Sequence, residues 1–338
     1  MISEKRALSG IISAIKNNTT FFIAGHLKPD GDTVGSALAI QSLLRRLNKK
    51  AYIYCGEPIP DYLTFLPGAR KITLTDKVNR RFDCAIILEC VDFNRMGNLI
   101  APEQAGIIIN IDHHSNFNYF GHVNYINPRA SSSAEQVFNI FTALKMPLTR
   151  KEADALYVGL VTDTGRFQQA NTTPRSLAMA AKLLEAGVVP VQMYDRLYAT
   201  KSLSSLNLLG RALETLKVSH DGRIASMAIT RSMFRTTRSD ATETEGIINY
   251  AMMIPGVCVG ILFRESEPGG AVKVSFRSRA GVDVNKVSNN FGGGGHKNAA
   301  GCSLHGTIVS AEKRVLRYVK GVLKSYVSKL QSSAKHKK

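Results

Sequence analysis

FFIAGHLKPDGDTVGSALAIQSLLRRL, residues 21–47, passes from an apolar run to a helix-like one through a knot of charge. FFIAG reads as a strand and TVGSALAIQSLLRRL as an amphipathic helix, the opening of a strand-helix-strand unit. The turn between them carries His26, Asp30 and Asp32. Pro29 and Gly31 shape it so that the three side chains converge. Two carboxylates so close repel and raise one another's pKa unless cations neutralise them. PDGD can equally be a plain turn, and Gly35 can either slim the helix beside a site or pack closely on the sheet.

Working outward, AYIYC (51–55), DCAIILE (83–89) and GIIINID (106–112) are further apolar runs that read as strands of a parallel sheet covered on both faces. Ser133 with Gln136 and Thr149 with Glu152 read as capping boxes opening two later helices. Past residue 187 the pattern changes. SLSSLNLLGRALETL (202–216) reads as a helix, VSHDGRIASMAIT (218–230) as a hairpin about Asp221-Gly222, and VCVGILFRE and AVKVSFRSR as strands flanking Pro268-Gly269-Gly270. A basic helix (311–330) and a frayed tail close the chain. The expected organisation is α/β throughout: a parallel-sheet domain over 1–190, a helical connector over 191–216, a smaller α/β domain with a mixed sheet over 217–330 and a basic tail over 331–338.

At 338 residues, 44% hydrophobic and 21% charged, the composition is globular rather than disordered or fibrous. No apolar run approaches the roughly 20 residues of a membrane span, and MISEKRALSG lacks the apolar core of a secretion signal. We expect a cytoplasmic protein. Five scattered cysteines without a C-x-x-C pair argue against a disulfide framework or a zinc knuckle. The net charge of +18 would concentrate anionic partners such as nucleotides or RNA, or serve solubility alone.

In a parallel sheet, residues just past the C-terminal strand ends share one rim. Four stretches deliver ligands there: His26, Asp30 and Asp32; Glu89; Asp112, His113 and His114; and Asp163 in TDTG, at a helix end with Gly165 as the expected C-cap. Imidazole and carboxylate without thiolate suit Mn²⁺ or a similar ion. His26, Asp30, Asp32, Glu89, His113 and Asp163 could hold two divalent cations about 4 Å apart if one carboxylate bridges, a spacing suited to phosphoester hydrolysis. In NNFGGGGHKNAAG, residues 289–301, four glycines let backbone amides approach an anion. Arg277 and Arg279 alternate on the strand before it and either clamp phosphate or form a solvated edge.

HLKPDGDTVGS, an acidic strand end followed by NRMGN, IDHHSN, GLVTDTGRF and FGGGGHKNAAG occur in that order. The chain resembles the DHH/DHHA1 phosphoesterase family over about residues 15–330. That likeness implies a catalytic domain with two Mn²⁺ ions and a second domain gripping substrate across a cleft, which would limit substrate length. By the same likeness, His26 and Asp30 hold one ion, Asp32, His113 and Asp163 the other, and Glu89 bridges. His114 faces substrate, as proton donor or phosphate contact, and Asp112 supports it. Arg277, Arg279, Gly292, Gly293, Gly294, Gly295 and His296 hold the nucleotide. The family usually has Asp where Glu89 stands, which predicts altered metal spacing or preference rather than loss; Asp92 is a substitute ligand if the loop bends.

The members it most resembles act on short oligoribonucleotides and 3'-phosphoadenosine-5'-phosphate (pAp), so these are the expected substrates, with a homodimer the assembly that symmetry favours. Other readings are a linear dinucleotide (pApA-type) phosphodiesterase, a pyrophosphatase, and a basic nucleic-acid-binding protein with impaired catalysis. The last would bind in a salt-sensitive, chelator-insensitive way.

Overall fold

The computed structural model describes residues 4–114, 118–266, 270–279 and 281–335. Pro268 and Gly269 of the expected turn, and residues 336–338 of the expected tail, lie outside the described residues. The chain forms two compact units, Met1–Thr200 and Lys201–Lys338.

The first unit runs α1 (Glu4–Asn17), β1 (Thr20–Ala24), α2 (Gly31–Arg46), β2 (Lys50–Cys55), β3 (Thr73–Leu74), β4 (Phe82–Leu88), β5 (Ala105–Asp112), β6 (Val123–Ile126), α3 (Ser133–Ala143), α4 (Arg150–Asp163), α5 (Pro174–Glu185) and α6 (Pro190–Leu197). Its strands are parallel, in the order β3-β2-β1-β4-β5-β6. From β1 the chain builds outward to β2 and β3, then returns to lay β4 on the other side of β1. The crevice past the C-terminal ends of β1 and β4 is therefore the topological switch point, where such sheets bind ligands.

The central strands are apolar on both faces, as their continuous hydrophobic runs require. Phe21, Ile23, Ile86, Ile109 and Ile111 pack into one cluster with residues of α1 to α6. Phe22, Ala85, Ile87 and Ile108 pack into another, with Val78, Met96, Leu99 and Ile100. Among the described residues, α-helices thus cover one face only. The second face is closed by irregular chain with short 3-10 turns at Phe93–Met96 and Pro102–Gln104.

Caps refine the helix starts. Thr149 and Glu152 form the expected capping box at α4, but the N-cap of α3 is Ser132, one residue before the position expected, its side chain accepting from the Glu135 amide. Asp30 caps α2. A Cβ on Gly35 would stand 2.2 Å from the Ala155 carbonyl oxygen, so close packing of α2 on α4 accounts for this glycine. It does so without any appeal to the site.

The second unit comprises α7 (Leu203–Glu214), β7 (Lys217–Val218), β8 (Ile224–Ile229), α8 (Arg231–Thr237), α9 (Ile247–Ala251), β9 (Val259–Glu265), β10 (Ala271–Ser278), α10 (Val284–Asn289), β11 (Gly294–His296), β12 (Ala299–His305) and α11 (Ile308–Lys335). Its mixed sheet has the order β11-β12-β10-β9-β8-β7, with β8 and β9 parallel and the other pairs antiparallel. Helix α7, expected as a connector, buries Leu208 and Ala212 in this unit's own core beside Ile229 and Ile247. Residues 331–335, expected as tail, continue α11.

One face of this sheet is fully covered: Ile261, Phe263, Val272, Val274 and Phe276 pack against residues of α10 and α11. On the other, the cluster of Leu208, Met227, Ile248 and Leu262 covers the β8 and β9 side. Along β10 the alternation leaves Lys273 exposed and Ser275 and Arg277 half-buried, so the β10 to β12 side is the polar part of that face. Among the described residues no helix is long and apolar enough to cross a membrane.

Candidate metal centre

The site grows from strand ends. Chain leaving β1 is held by the Leu27 amide, which donates to the Arg95 carbonyl (2.9 Å). His26 Nδ1 sits 2.6 Å from the Leu27 carbonyl oxygen, which can only accept. That nitrogen therefore carries the proton, and Nε2 faces Asp30 Oδ2 (3.7 Å) and Glu89 Oε2 (3.8 Å). Asp30 Oδ1 accepts from the Thr33 amide. Burial works against its charge, but hydrogen bonds from His26 and Thr33 outweigh it and hold the carboxyl at about 2.

Asp32, the second residue of α2, is 1% exposed. Its oxygens accept from the Ser133 (2.6 Å) and Ala134 (2.8 Å) amides at the start of α3. These amides open α3, so the Asp32 carboxylate sits at the positive end of that helix's dipole.

Glu89 is the residue all of this surrounds. It follows β4 directly, is 2% exposed, and has a φ of +55°, a left-handed conformation that costs a non-glycine residue about 1 kcal/mol or more. Its amide donates to Ile111, and Thr33 Oγ1 donates to its Oε2. Its Oε1 lies 3.4 Å from His113 Nε2, which in turn lies 3.6 Å from Asp163 Oδ2. Burial first, then the charges of Asp32 and Asp30, push the Glu89 carboxyl well above its ordinary range. The same causes push Asp163 up to about 7.

Among the described residues, two groups of candidate donors have atoms mutually within 4.8 Å: His26, Asp30 and Glu89; and Asp32, Glu89 and His113. Glu89 belongs to both. His113 Nε2 is buried without a hydrogen-bond partner, a state that an imidazole nitrogen in a protein interior rarely holds unless something else takes its lone pair. Crowded acids, an orphaned nitrogen and the lack of sulfur make this donor set fit a divalent cation. Asp163 is brought to this place through His113, at the last residue of α4; the helix is capped by Thr164, with Gly165 one residue beyond at φ +54°. Asp92 is not brought in. It caps the following 3-10 turn by accepting from the Asn94 amide.

Beside the ligands, His114 is half-exposed and its Nδ1 lies 2.7 Å from buried Asp112 Oδ1. The hydrogen bond to Asp112 raises the His114 pKa against the opposing effect of burial. Three neighbours outside the expected ligand set join these residues; Thr33 and Arg95 lie inside the quoted motifs, Asn171 in none of them. Thr33 links Glu89 to His26; Asn171 donates to Asp163 Oδ2 (3.1 Å) and to the Ser131 carbonyl (2.9 Å); and the positive charge of exposed Arg95 opposes, without cancelling, the net rise in the pKa of both His26 and His114.

The second set of expected residues gathers on the polar part of the other unit's sheet. Arg277 and His296 both pair with Ala299, so they share a face two strands apart. Arg279 stands just past the end of β10 and is exposed. Half of the glycine run is strand: Gly294 and Gly295 belong to β11. A Cβ on Gly293 would meet the Gly301 carbonyl at 2.2 Å, and one on Gly295 would meet Ala299 and Ala300 at 2.6 Å, so packing demands these two. Gly292 faces open space at φ +73°.

Crowding of acids has a measurable consequence. Without a cation, native Asp163 keeps to about pH 7 a proton that it loses near pH 4 when unfolded, so the native state binds more protons in that window and stability falls as pH rises. The raised histidines His26 and His114 act in the same direction. We expect the Tm of EDTA-treated protein to fall between about pH 5 and 7 and saturating Mn²⁺ to remove most of that slope, as followed by circular dichroism.

Residues 20–160 match the model of the DHH family, N-terminal domain, and residues 229–325 that of the DHHA1 domain. A Thermus thermophilus protein named bifunctional oligoribonuclease and PAP phosphatase NrnA is 33% identical over 318 residues, 94% of each chain. A Bacillus subtilis protein of the same name is 30% identical over 304 residues, 87% of this chain and 92% of the other. Among solved structures, an exopolyphosphatase-related protein from Bacteroides fragilis matches with a TM-score of 0.82 at 25% identity, over 97% of this chain and 98% of that one.

Proposed function

The chain belongs to the DHH family and carries a DHHA1 domain, and on that premise we propose that it is a divalent-metal-dependent phosphoesterase. It hydrolyses short oligoribonucleotides to mononucleotides and pAp to AMP. The observation that carries this reading is the sharing of Glu89 between two ligand groups. His26 and Asp30 would hold one ion and Asp32, His113 and Asp163 a second, with Glu89 common to both; Mn²⁺ suits these donors. Bound there, the cations supply Lewis acidity and a nucleophile active at neutral pH.

The chain's own groups do the rest. Asp112 accepts from His114 Nδ1 and keeps that ring oriented, leaving Nε2 to face the substrate. As the P–O bond breaks, the departing ribose oxygen takes a proton, and His114 Nε2 is the donor in this reading. Arg277, Arg279, His296 and the open amide at Gly292 hold a phosphate and sugar of the nucleotide. A cytoplasmic setting belongs to the same proposal, because all five cysteines are free.

A Mn²⁺-supplemented panel of pAp, dinucleotides, pApA, pyrophosphate and long RNA tests it, with Asp163→Ala beside the wild type. Short oligonucleotides and pAp should be cleaved, EDTA should abolish every activity, and Asp163→Ala should lose all of them together. Preference for pyrophosphate, or salt-sensitive RNA binding that is indifferent to EDTA and unaccompanied by hydrolysis, overturns the reading.

A further inference from the structure

The second unit holds 22 of the 44 Lys and Arg but only 9 of the 26 Asp and Glu, so most of the +18 charge resides there. On the polar side of its sheet, Arg264 of β9 lies cross-strand from Lys273 of β10. Two cavities meet at this pair. One, of about 400 Å³, runs past Ser275, Ser303 and Gly293 to Gly292, the proposed phosphate contact. The other, of about 470 Å³, is lined by Phe234, Arg235 and Ser239 together with Arg264 and Lys273.

Its electrostatics are unbalanced. Two carboxylates, Asp240 and Glu265, line it against four cations, and both are engaged locally: Asp240 Oδ1 accepts from the Thr242 amide (2.7 Å) and Glu265 Oε2 from the Arg231 amide (2.8 Å). Arg231 Nε donates to the Ser266 carbonyl and Arg264 Nη1 to the Ala241 carbonyl, both neutral acceptors. The side chains of Arg235 and Lys273 make no hydrogen bond or ion pair among the described residues. Uncommitted cations beside a half-buried aromatic ring, in a hollow the size of a small-ligand site, are what a phosphate and its stacked base require.

We propose that this cavity is a second nucleotide subsite. Arg235 and Lys273 take a backbone phosphate, and Phe234 takes the base, of the nucleotide adjoining the one held at the glycine run. Because Arg264 and Lys273 line both hollows, one single strand can occupy the two together, whereas pAp, with a single base, fills only the first. The inference rests on the reading of the chain as an oligoribonucleotide hydrolase and adds a site that would favour oligonucleotides over pAp.

The test is Arg235→Glu, with Arg235→Lys as the conservative control, in the full chain. KM for a pentaribonucleotide should rise about tenfold in Arg235→Glu, with kcat unchanged and KM for pAp within about twofold; Arg235→Lys should restore most of it. In EDTA, anisotropy of a labelled pentanucleotide should show weaker binding and a slope of log affinity against log salt smaller by about 0.7. An equal rise in KM for pAp, or an unchanged pentanucleotide affinity, overturns the subsite. A wild type that cleaves nothing would overturn the hydrolase reading alone, since the EDTA binding measurement reads the subsite without catalysis.

Discussion

Glu89→Gln is expected to lower phosphoester hydrolysis by about a thousandfold or more while leaving the protein folded. The amide preserves volume and can still accept from Thr33, but it removes the one charge common to both ligand groups. In the metal-free protein that charge is a liability, because Glu89 is buried beside Asp32 and Asp30 and its carboxyl is pushed well up. Neutralising it should leave the apo Tm at or above that of the wild type. The rise in Tm on adding Mn²⁺, which reports binding to the native state, should shrink sharply. Calorimetry with and without the ion separates these effects. A variant with wild-type Mn²⁺ affinity and rate would remove Glu89 from the centre. Glu89→Asp, which shortens the reach by one methylene, should keep activity but change the preferred cation.

The next largest effect is expected at His114. Its ring lies in neither ligand group, so His114→Ala should keep its metal while kcat falls by about a hundredfold to ten-thousandfold, the usual worth of a positioned proton donor. A nucleoside phosphate ester with a p-nitrophenolate leaving group, which departs without protonation, should recover most of that loss. If His114 instead only contacts phosphate, both substrates will lose rate equally. Asp112→Asn should follow the same pattern more weakly, since it alters the Nδ1 partner and leaves Nε2 in place.

Periodicity and end signals explain why so much of the first sheet could be read from residues 21–112. Buried parallel strands are continuous apolar runs, and FFIA, AYIYC and CAIIL are hard to read otherwise. The two-residue β3 and four-residue β6 lack enough length to show a period. The cap of α3 falls one residue before the position that the sequence predicts because Ser131, Ser132 and Ser133 are chemically alike, and only the fold selects the one whose oxygen meets the Glu135 amide.

By itself the sequence determined which donor types the protein owns, that they fall at strand and helix ends, and that their number calls for cations. Only tertiary structure decided which of them meet. Glu89 reaches Thr33 across 56 positions and Asp32 reaches the amides of α3 across more than 100, pairings that arise when β4 is laid beside β1 and α3 is folded back over α2. Local rules govern conformation within a turn or two. Distances between charges from remote segments, and with them every shifted pKa in the centre, are set by how sheets and helices pack.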